Sequence, residues 1–293
     1  MAKASEGKIA RKEEEGIQTA DSMPEFMKGE QGRGTEMVDP RDLELPRLKL
    51  LQDLSDEPKT FDGAKPGMLW HTVLERAVQL PVHITPVFVD TRYILWRPRH
   101  MGGGILARSD DGRRWSPEKG EFRIKPTKGS EDEVVWRLAS TVDASGLANW
   151  GSYDPRNPNS PPAATKIIAV VAVILEPEYR EMSPVVIAHQ RSQIKVARRL
   201  VTKIRMSRAP AYGQVHRVES VQDQNNEGQK FFNFRYTASG ILQSKEDFDA
   251  MKEFYEKFLK SGIQIRDVEG MQGDVPDVAG AEDPEASDPK AKY

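Results

Sequence analysis

The chain has 293 residues, 43 Lys/Arg against 45 Asp/Glu, a net charge of −2 and no cysteine. That length is enough to bury a sizeable core, and with 38% hydrophobic residues and 22 glycines the apolar fraction is at the ordinary globular level. The lack of cysteine excludes disulfides, thiolate nucleophiles, cysteine-ligated zinc and iron–sulfur clusters. The first sixteen residues are charged throughout with no apolar core, and no apolar run reaches membrane-spanning length, so the reading is of a protein of the cytoplasm with no membrane partner.

Residues 1–42 are rich in Lys, Glu and Gly without apolar periodicity, and are expected to be disordered. Order begins with the alternating segment 43–51, a short strand or arm followed by turn signals at Pro58, Gly63 and Pro66-Gly67. From 82 onward β-signals dominate. Residues 82–89 and 93–96 read as a hairpin pair, which 104–107 and 122–125 extend through a turn at Asp110-Asp111-Gly112, and 134–138 adds a further strand. Residues 149–162, rich in Pro and Asn, form an irregular loop.

The most apolar segment, 166–175, is expected to be a central strand with 185–188 returning beside it. Ser192 then caps a helix running to about 206, with Ile194, Ala197, Leu200, Val201 and Ile204 on one face and Arg191, Lys195, Arg198, Arg199 and Lys203 on the other. Those cations have no i,i+4 acid to relieve them, which points to an anionic partner. Two strands, 215–221 and 230–236, follow around an Asn-Asn-Glu-Gly turn. In the second strand Phe232, Phe234 and Tyr236 share one face and Phe231, Asn233 and Arg235 the other, so an aromatic points outward whichever is buried. Ser244 and Asp247 form a capping box for a second amphipathic helix, with Phe248, Met251, Tyr255, Phe258 and Leu259 inward, ending near Gly262. The organisation expected is therefore a single β-rich domain over 43–263 and a flexible acidic tail over 264–293.

Charge is segregated along this chain. Residues 92–128 hold ten Lys/Arg against four Asp/Glu and residues 180–217 hold nine against one, whereas 267–288 hold eight acids and no base. In the first block rings and cations interleave around Gly102-Gly103-Gly104. Rings stack on exposed bases and Arg or Lys neutralises phosphate, and an unpaired strand offers both surfaces together. Tyr93, Trp96, Trp115 and Phe234 are the candidate stacking residues. Arg92, Arg97, Arg99, Arg113 and Arg114 are the candidate phosphate contacts, and Arg191, Lys195, Arg198 and Arg199 extend the track.

Enzyme signatures are missing from the sequence. There is no phosphate-binding Gly-Lys-Ser/Thr loop, no dinucleotide fingerprint, no metal-ligand spacing among His71, His83, His100, His189 and His216, and no nucleophile elbow, so neither cofactor nor metal is expected. A metal-dependent nuclease built on Asp110, Asp111, Glu118, Glu121 and Lys125 is the enzyme alternative, although Asp110-Asp111-Gly112 is better explained as a turn.

The blocks at 93–108 (YILWRPRHMGGGILAR) and 150–165 (WGSYDPRNPNSPPAAT) resemble those of proteins encoded by tailed bacteriophages and prophages. The wider pattern over about 80–265, a β-rich core with a basic helix and then an acidic tail, resembles phage single-stranded-DNA-binding replication proteins of the OB-fold type. That resemblance implies an α+β fold on an antiparallel, OB-like barrel, sequence-independent binding of single-stranded DNA, and docking of phage replication or recombination proteins through the tail. The tail departs from those proteins in being less dense in acid. A homo-oligomer is compatible with this reading. The rival reading is a phage structural or host-takeover protein whose basic surfaces bind an acidic protein partner.

Overall fold

In the computed structural model, residues 33–39, 45–129, 131–224 and 228–261 are described. Two units are distinguished, 1–43 and 44–293. Of the first only 33–39 are described, as turns, and all that follows concerns the second. The disorder expected over 1–42 and the acidic tail over 264–293 lie outside the described residues, apart from 33–39.

The apolar run at 164–174 forms the centre of the fold. Its strand, β8 (Ala164–Ile174), is buried at nearly every position and pairs on both sides, as expected of a segment too apolar to border water. One neighbour is β4 (Val82–Trp96), antiparallel over eleven pairs, and the other is β9 (Val185–Gln190). Beyond β4 lie β10 (Gln214–Gln224) and β11 (Lys230–Ile241), and β5 (Ile105–Ser109) pairs with the distal end of β4. The hairpin expected within 82–96 is thus one continuous strand. Asp90-Thr91-Arg92 holds no turn-forming Gly or Asn and is held instead against Ala169, Ile168 and Ile167 of β8, while a bulge near Pro86–Phe88 absorbs the irregularity.

Two smaller sheets flank this one. Strands β1 (Leu48–Leu50), β2 (Leu69–His71) and β3 (Arg76–Val78) form an antiparallel trio, with the short helix α1 (Glu57–Thr60) between β1 and β2. Strands β6 (Gly120–Ile124) and β7 (Val134–Leu138) pair only with each other, so 122–125 does not extend the main sheet as expected. The short helix α2 (Val142–Ser145) follows them.

The fold is α+β with antiparallel sheets, but the expected barrel does not form. The side of β9 away from β8 receives Pro46 and Arg47, through Val186 N–H to Pro46 O at 2.8 Å and a parallel bridge. On β11 the Gln52 amide both accepts from Phe232 N–H (2.8 Å) and donates to Phe232 O (3.0 Å), reproducing a ladder contact with a side chain. With β9 and β11 finished by other segments, the sheet stays open and helices cover its two faces.

Helix α3 (Ile194–Met206) buries Ile194, Ala197 and Leu200 against one face, with Val201 and Ile204 half-buried, as its periodicity predicts. Its N-cap is Gln193 rather than Ser192, and no side-chain cap bond forms there. The same face carries the three-stranded sheet through Leu48, Leu50, Leu69 and Val78. Helix α4 (Lys245–Ser261) covers the opposite face, placing Phe258 among Ala169, Val171 and Val186, and Met251 beside Val87 and Val173. The Ser244 cap forms, with Asp247 N–H donating to its hydroxyl at 3.3 Å. Leu259, expected inward, is 52% exposed, and Phe254 packs in the stripe instead. A second core, around Trp115, Trp136 and Ile124, closes the distal end of β4, β5 and β8.

Candidate nucleic-acid interface

Strand β10 pairs with β4 only from Val82 to Ile84, and β5 takes up the pairing from Tyr93 to Trp96. Between them β4 has β8 as its strand neighbour on one side, while its other side faces α3 and the 3-10 turn Ala211–Gly213. A groove of about 580 Å³ lies here. Its floor is apolar, with Val87, Val89 and Ile168 from the sheet and Val201 and Ile204 from α3. Lys166, Arg198 and Arg205 line it as well, and among the described residues no carboxylate does.

Strand pairing explains how Lys166 arrives there. It sits directly across from Tyr93, so the two side chains share a face, and its Nζ lies 5.7 Å from the Tyr93 ring centroid. Thr91, two residues before Tyr93, also lines the groove and abuts the turn Asp110–Gly112. A Cβ on Gly112, whose φ is +67°, would stand 2.6 Å from the Thr91 carbonyl oxygen. That turn is held by the Asp111 carboxylate, which accepts from the backbone N–H groups of Arg113 (2.7 Å) and Arg114 (2.8 Å). The Arg114 N–H, partly offset by burial and then helped by the Arg113 N–H and the Ser109 hydroxyl, holds the Asp111 carboxyl below the usual carboxylate range. Both arginines are exposed beyond it. On the outer side of α3, Lys195 and Arg199 are exposed too.

Several expected contacts are corrected. Trp115 is 1% exposed, donates its Nε1–H to Ser145 Oγ at 3.1 Å, and is a core ring without a face for a base. Phe234 is 3% exposed and packs against His189 and Tyr236. Arg92 is 7% exposed and its guanidinium donates to Asp90 (2.9 Å) and reaches Asp110 (3.5 Å), so it serves a buried ion pair rather than a phosphate. Burial raises the Asp90 carboxyl, against the opposing effect of Arg92.

Trp96 is half-buried but lies with Ile94, Ile105 and Ile167, whereas Tyr93 packs with the Leu95 cluster on the other face of the strand, so the two rings do not converge. Arg97 and Arg99 are exposed past the end of β4. Arg191 is half-buried at φ +51° just before α3. Of the expected residues, the groove therefore takes in Arg198, has Tyr93 at its border through Lys166, and has the Arg113-Arg114 turn against Thr91. Lys166 and Arg205 escaped the sequence reading. The signal for Lys166 was a single cation inside the most apolar strand of the chain.

The acidic residues of the nuclease alternative do not converge. Asp110 faces Arg92, Asp111 holds the turn, and Glu121 pairs with Arg137 at 3.1 Å on a separate sheet. Among the described residues no three His, Asp or Glu side chains are placed to hold a metal ion. His189 is fully buried, between Ile168 O (3.1 Å) and the Tyr236 hydroxyl (2.8 Å), and burial pushes it down to about 4. His216 is also pushed down to about 4, by burial and then by the nearby Lys203 charge. Lys203 itself donates to Tyr236 O at 2.6 Å and so fastens α3 to β11.

An open antiparallel sheet with a helix on each face and a cation-lined groove beside its longest strand defines an α+β protein. The chain belongs to the Pam3 phage gp34-like protein family, whose model matches residues 12–264, and is thus a phage-type protein. No curated protein and no solved structure matches it. No helix among the described residues is long and apolar enough to cross a membrane.

Proposed function

We propose that this protein binds single-stranded DNA without sequence preference, in phage DNA replication or recombination in the host cytoplasm, and carries out no chemical step itself. The observation that supports the reading is the groove, where Lys166, Arg198 and Arg205 surround an apolar floor with no carboxylate among the described lining residues. Cations of this kind track a phosphate backbone irrespective of sequence. At about 580 Å³ the groove has the size of a small-ligand site, so it admits a short stretch of one strand and excludes a duplex. The turn carrying Arg113 and Arg114 extends the track at one end, and Lys195 and Arg199 extend it across α3. Stacking falls to Tyr93 and Tyr255 rather than to the tryptophans, so phosphate contacts carry most of the affinity.

The test is fluorescence anisotropy with a labelled oligonucleotide, single-stranded and as duplex, across a salt titration. If about six phosphates are neutralised, single-strand affinity falls by roughly two to three decades between about 50 and 200 mM salt. Equal affinity for duplex, or no binding at low salt, refutes the reading. The rival is an acidic protein partner, favoured by the apolar floor that Val87, Val89 and Val201 provide. It predicts no oligonucleotide binding at any salt.

A further inference from the structure

We propose that the groove holds one unpaired nucleobase by its Watson–Crick edge, with the backbone N–H and C=O of Val89 as the hydrogen-bonding pair. The inference rests on the DNA-binding reading for its ligand, and adds to it the contact that tells an unpaired base from a paired one.

The direction of the strand's polar groups carries the first step. Along a strand, alternate residues turn their N–H and C=O to opposite sides. On β4 the Arg97 N–H donates to Gly104 O at 2.8 Å, on the side where β5 lies. The Thr91 carbonyl turns the same way, because it is the atom that a Cβ on Gly112 would meet. Two residues earlier, Val89 therefore presents both its N–H and its C=O to the side away from β8. Strand β10 has left β4 at Ile84 and β5 joins only at Tyr93, so among the described residues no strand stands opposite Val89 there, and no turn or loop backbone bonds to it. Val89 is half-buried and lines the groove. A partly buried backbone pair left open in this way is a place for a ligand to complete.

The same protein shows what completes such a residue. On the outer edge of β11 the Gln52 amide accepts from Phe232 N–H (2.8 Å) and donates to Phe232 O (3.0 Å), so a flat donor–acceptor edge takes the place of a strand. Every nucleobase carries an edge of this kind, an acceptor beside an N–H donor, and an unpaired base leaves it exposed. A base docked on Val89 extends the plane of the sheet. Because α3 and α4 cover opposite faces of that sheet, Val201 and Ile204 flank one face of the base and the Tyr255 ring the other, and all three line the groove. Lys166, Arg198 and Arg205 then serve the phosphates.

A peptide strand fits this edge less well. The Gly112 turn already lies against the Thr91 carbonyl, and Pro86 has no N–H, so the open edge is long enough for one base and too short for a ladder. In a duplex the Watson–Crick edge is already taken, whereas any unpaired base offers it. The contact thus rejects duplex and tolerates every sequence.

The test compares a single-stranded oligothymidylate with the same oligomer carrying N3-methylthymine, which keeps the rings and phosphates but loses the donor and blocks the edge. By fluorescence anisotropy at low salt, the full chain is expected to bind the methylated oligomer roughly tenfold more weakly. Val89→Pro removes the N–H at an edge position where no ladder bond is lost, and is expected to bind the two oligomers equally. Val89→Ala is expected to keep the difference, and far-UV circular dichroism checks that each variant is folded. Amide hydrogen exchange on the unaltered protein gives a second readout: oligothymidylate is expected to protect the 87–91 segment and the methylated oligomer to leave it unprotected. Equal affinities for the two oligomers, or equal protection by both, overturn the inference and leave the DNA reading standing. A difference in affinity that folded Val89→Pro preserves puts the base elsewhere and overturns it too. No binding of either oligomer removes the DNA reading and the inference with it.

Discussion

Replacing Lys166, Arg198 and Arg205 together by alanine tests whether the groove is the DNA track, because the expected effect follows from counting charges. Each phosphate contact to a single strand contributes about 0.7 to the slope of log affinity against log salt, so three contacts contribute roughly 2.1. Between about 50 and 200 mM salt, some 0.6 of a decade, this corresponds to about 1.3 decades, or twentyfold. The triple variant should bind weakly at low salt and lose about twentyfold less affinity than the parent across that range. The gap between the two proteins therefore narrows as salt rises. Anisotropy titrations at four or five salt concentrations give both slopes, and a melting curve monitors the loss of the Arg198 and Lys166 stems, which cover apolar surface. An unchanged slope in a folded variant would refute the reasoning and move the track to Arg97 and Arg99 at the far end of β4.

Trp115→Ala should lower stability by roughly 3–5 kcal/mol, as for other buried large aromatics, and change oligonucleotide affinity little in whatever fraction remains folded; a stable variant with impaired binding would restore the stacking role. Gly112→Ala places a Cβ 2.6 Å from the Thr91 carbonyl at a φ of +67°, and should cost about 1–3 kcal/mol in urea denaturation; a neutral result would show that the turn does not press on β4. Stability should also fall in mild acid. His189, held neutral with a pKa of about 4, is protonated first in the unfolded chain, so its contribution is complete above about pH 6.5 and lost as pH drops towards 4, amounting to about 3 kcal/mol. His216 acts in the same direction and Asp90, raised by burial, opposes them at the acid end. Denaturation midpoints that do not change between pH 7.5 and 4.5 would contradict the burial of both histidines.

The elements that periodicity governs were legible in the sequence. The apolar run at 164–174 had to be central, and the spacing of Ile194, Ala197 and Leu200 set the buried face of α3 before any coordinates. The interface was less legible because composition marks which residues are near one another along the chain, not which way each points. Trp115 follows two exposed arginines, yet the turn before it leads straight into the second core, where β6, β7 and α2 close over the ring. Phe231 and Phe234 occupy opposite faces of one strand, and only the packing of His189 and Tyr236 decides which is covered. Arg92 reads as a surface cation until Asp90 and Asp110 are brought beside it by a strand that does not turn where a hairpin was expected.

That same unturned strand is the reason a groove exists at all. Pro86 has no N–H, and a proline within a central strand marks either an edge or a bulge. Here it does both: the register with β8 shifts between Pro86 and Phe88, and the pairing with β10 ends at Ile84 just before it. The sheet beyond is left with β8 on one side until β5 joins at Tyr93, and the gap is bordered by α3 instead of by a strand. A helix supplies long side chains where a strand would have supplied hydrogen bonds, so Arg198 and Arg205 reach the gap from one wall and Lys166 from the floor strand. The cations of α3, which have no i,i+4 acid on their own helix, thus border the gap, where on the proposed reading an anionic chain would meet them, and the proline that opens the gap was visible in the sequence.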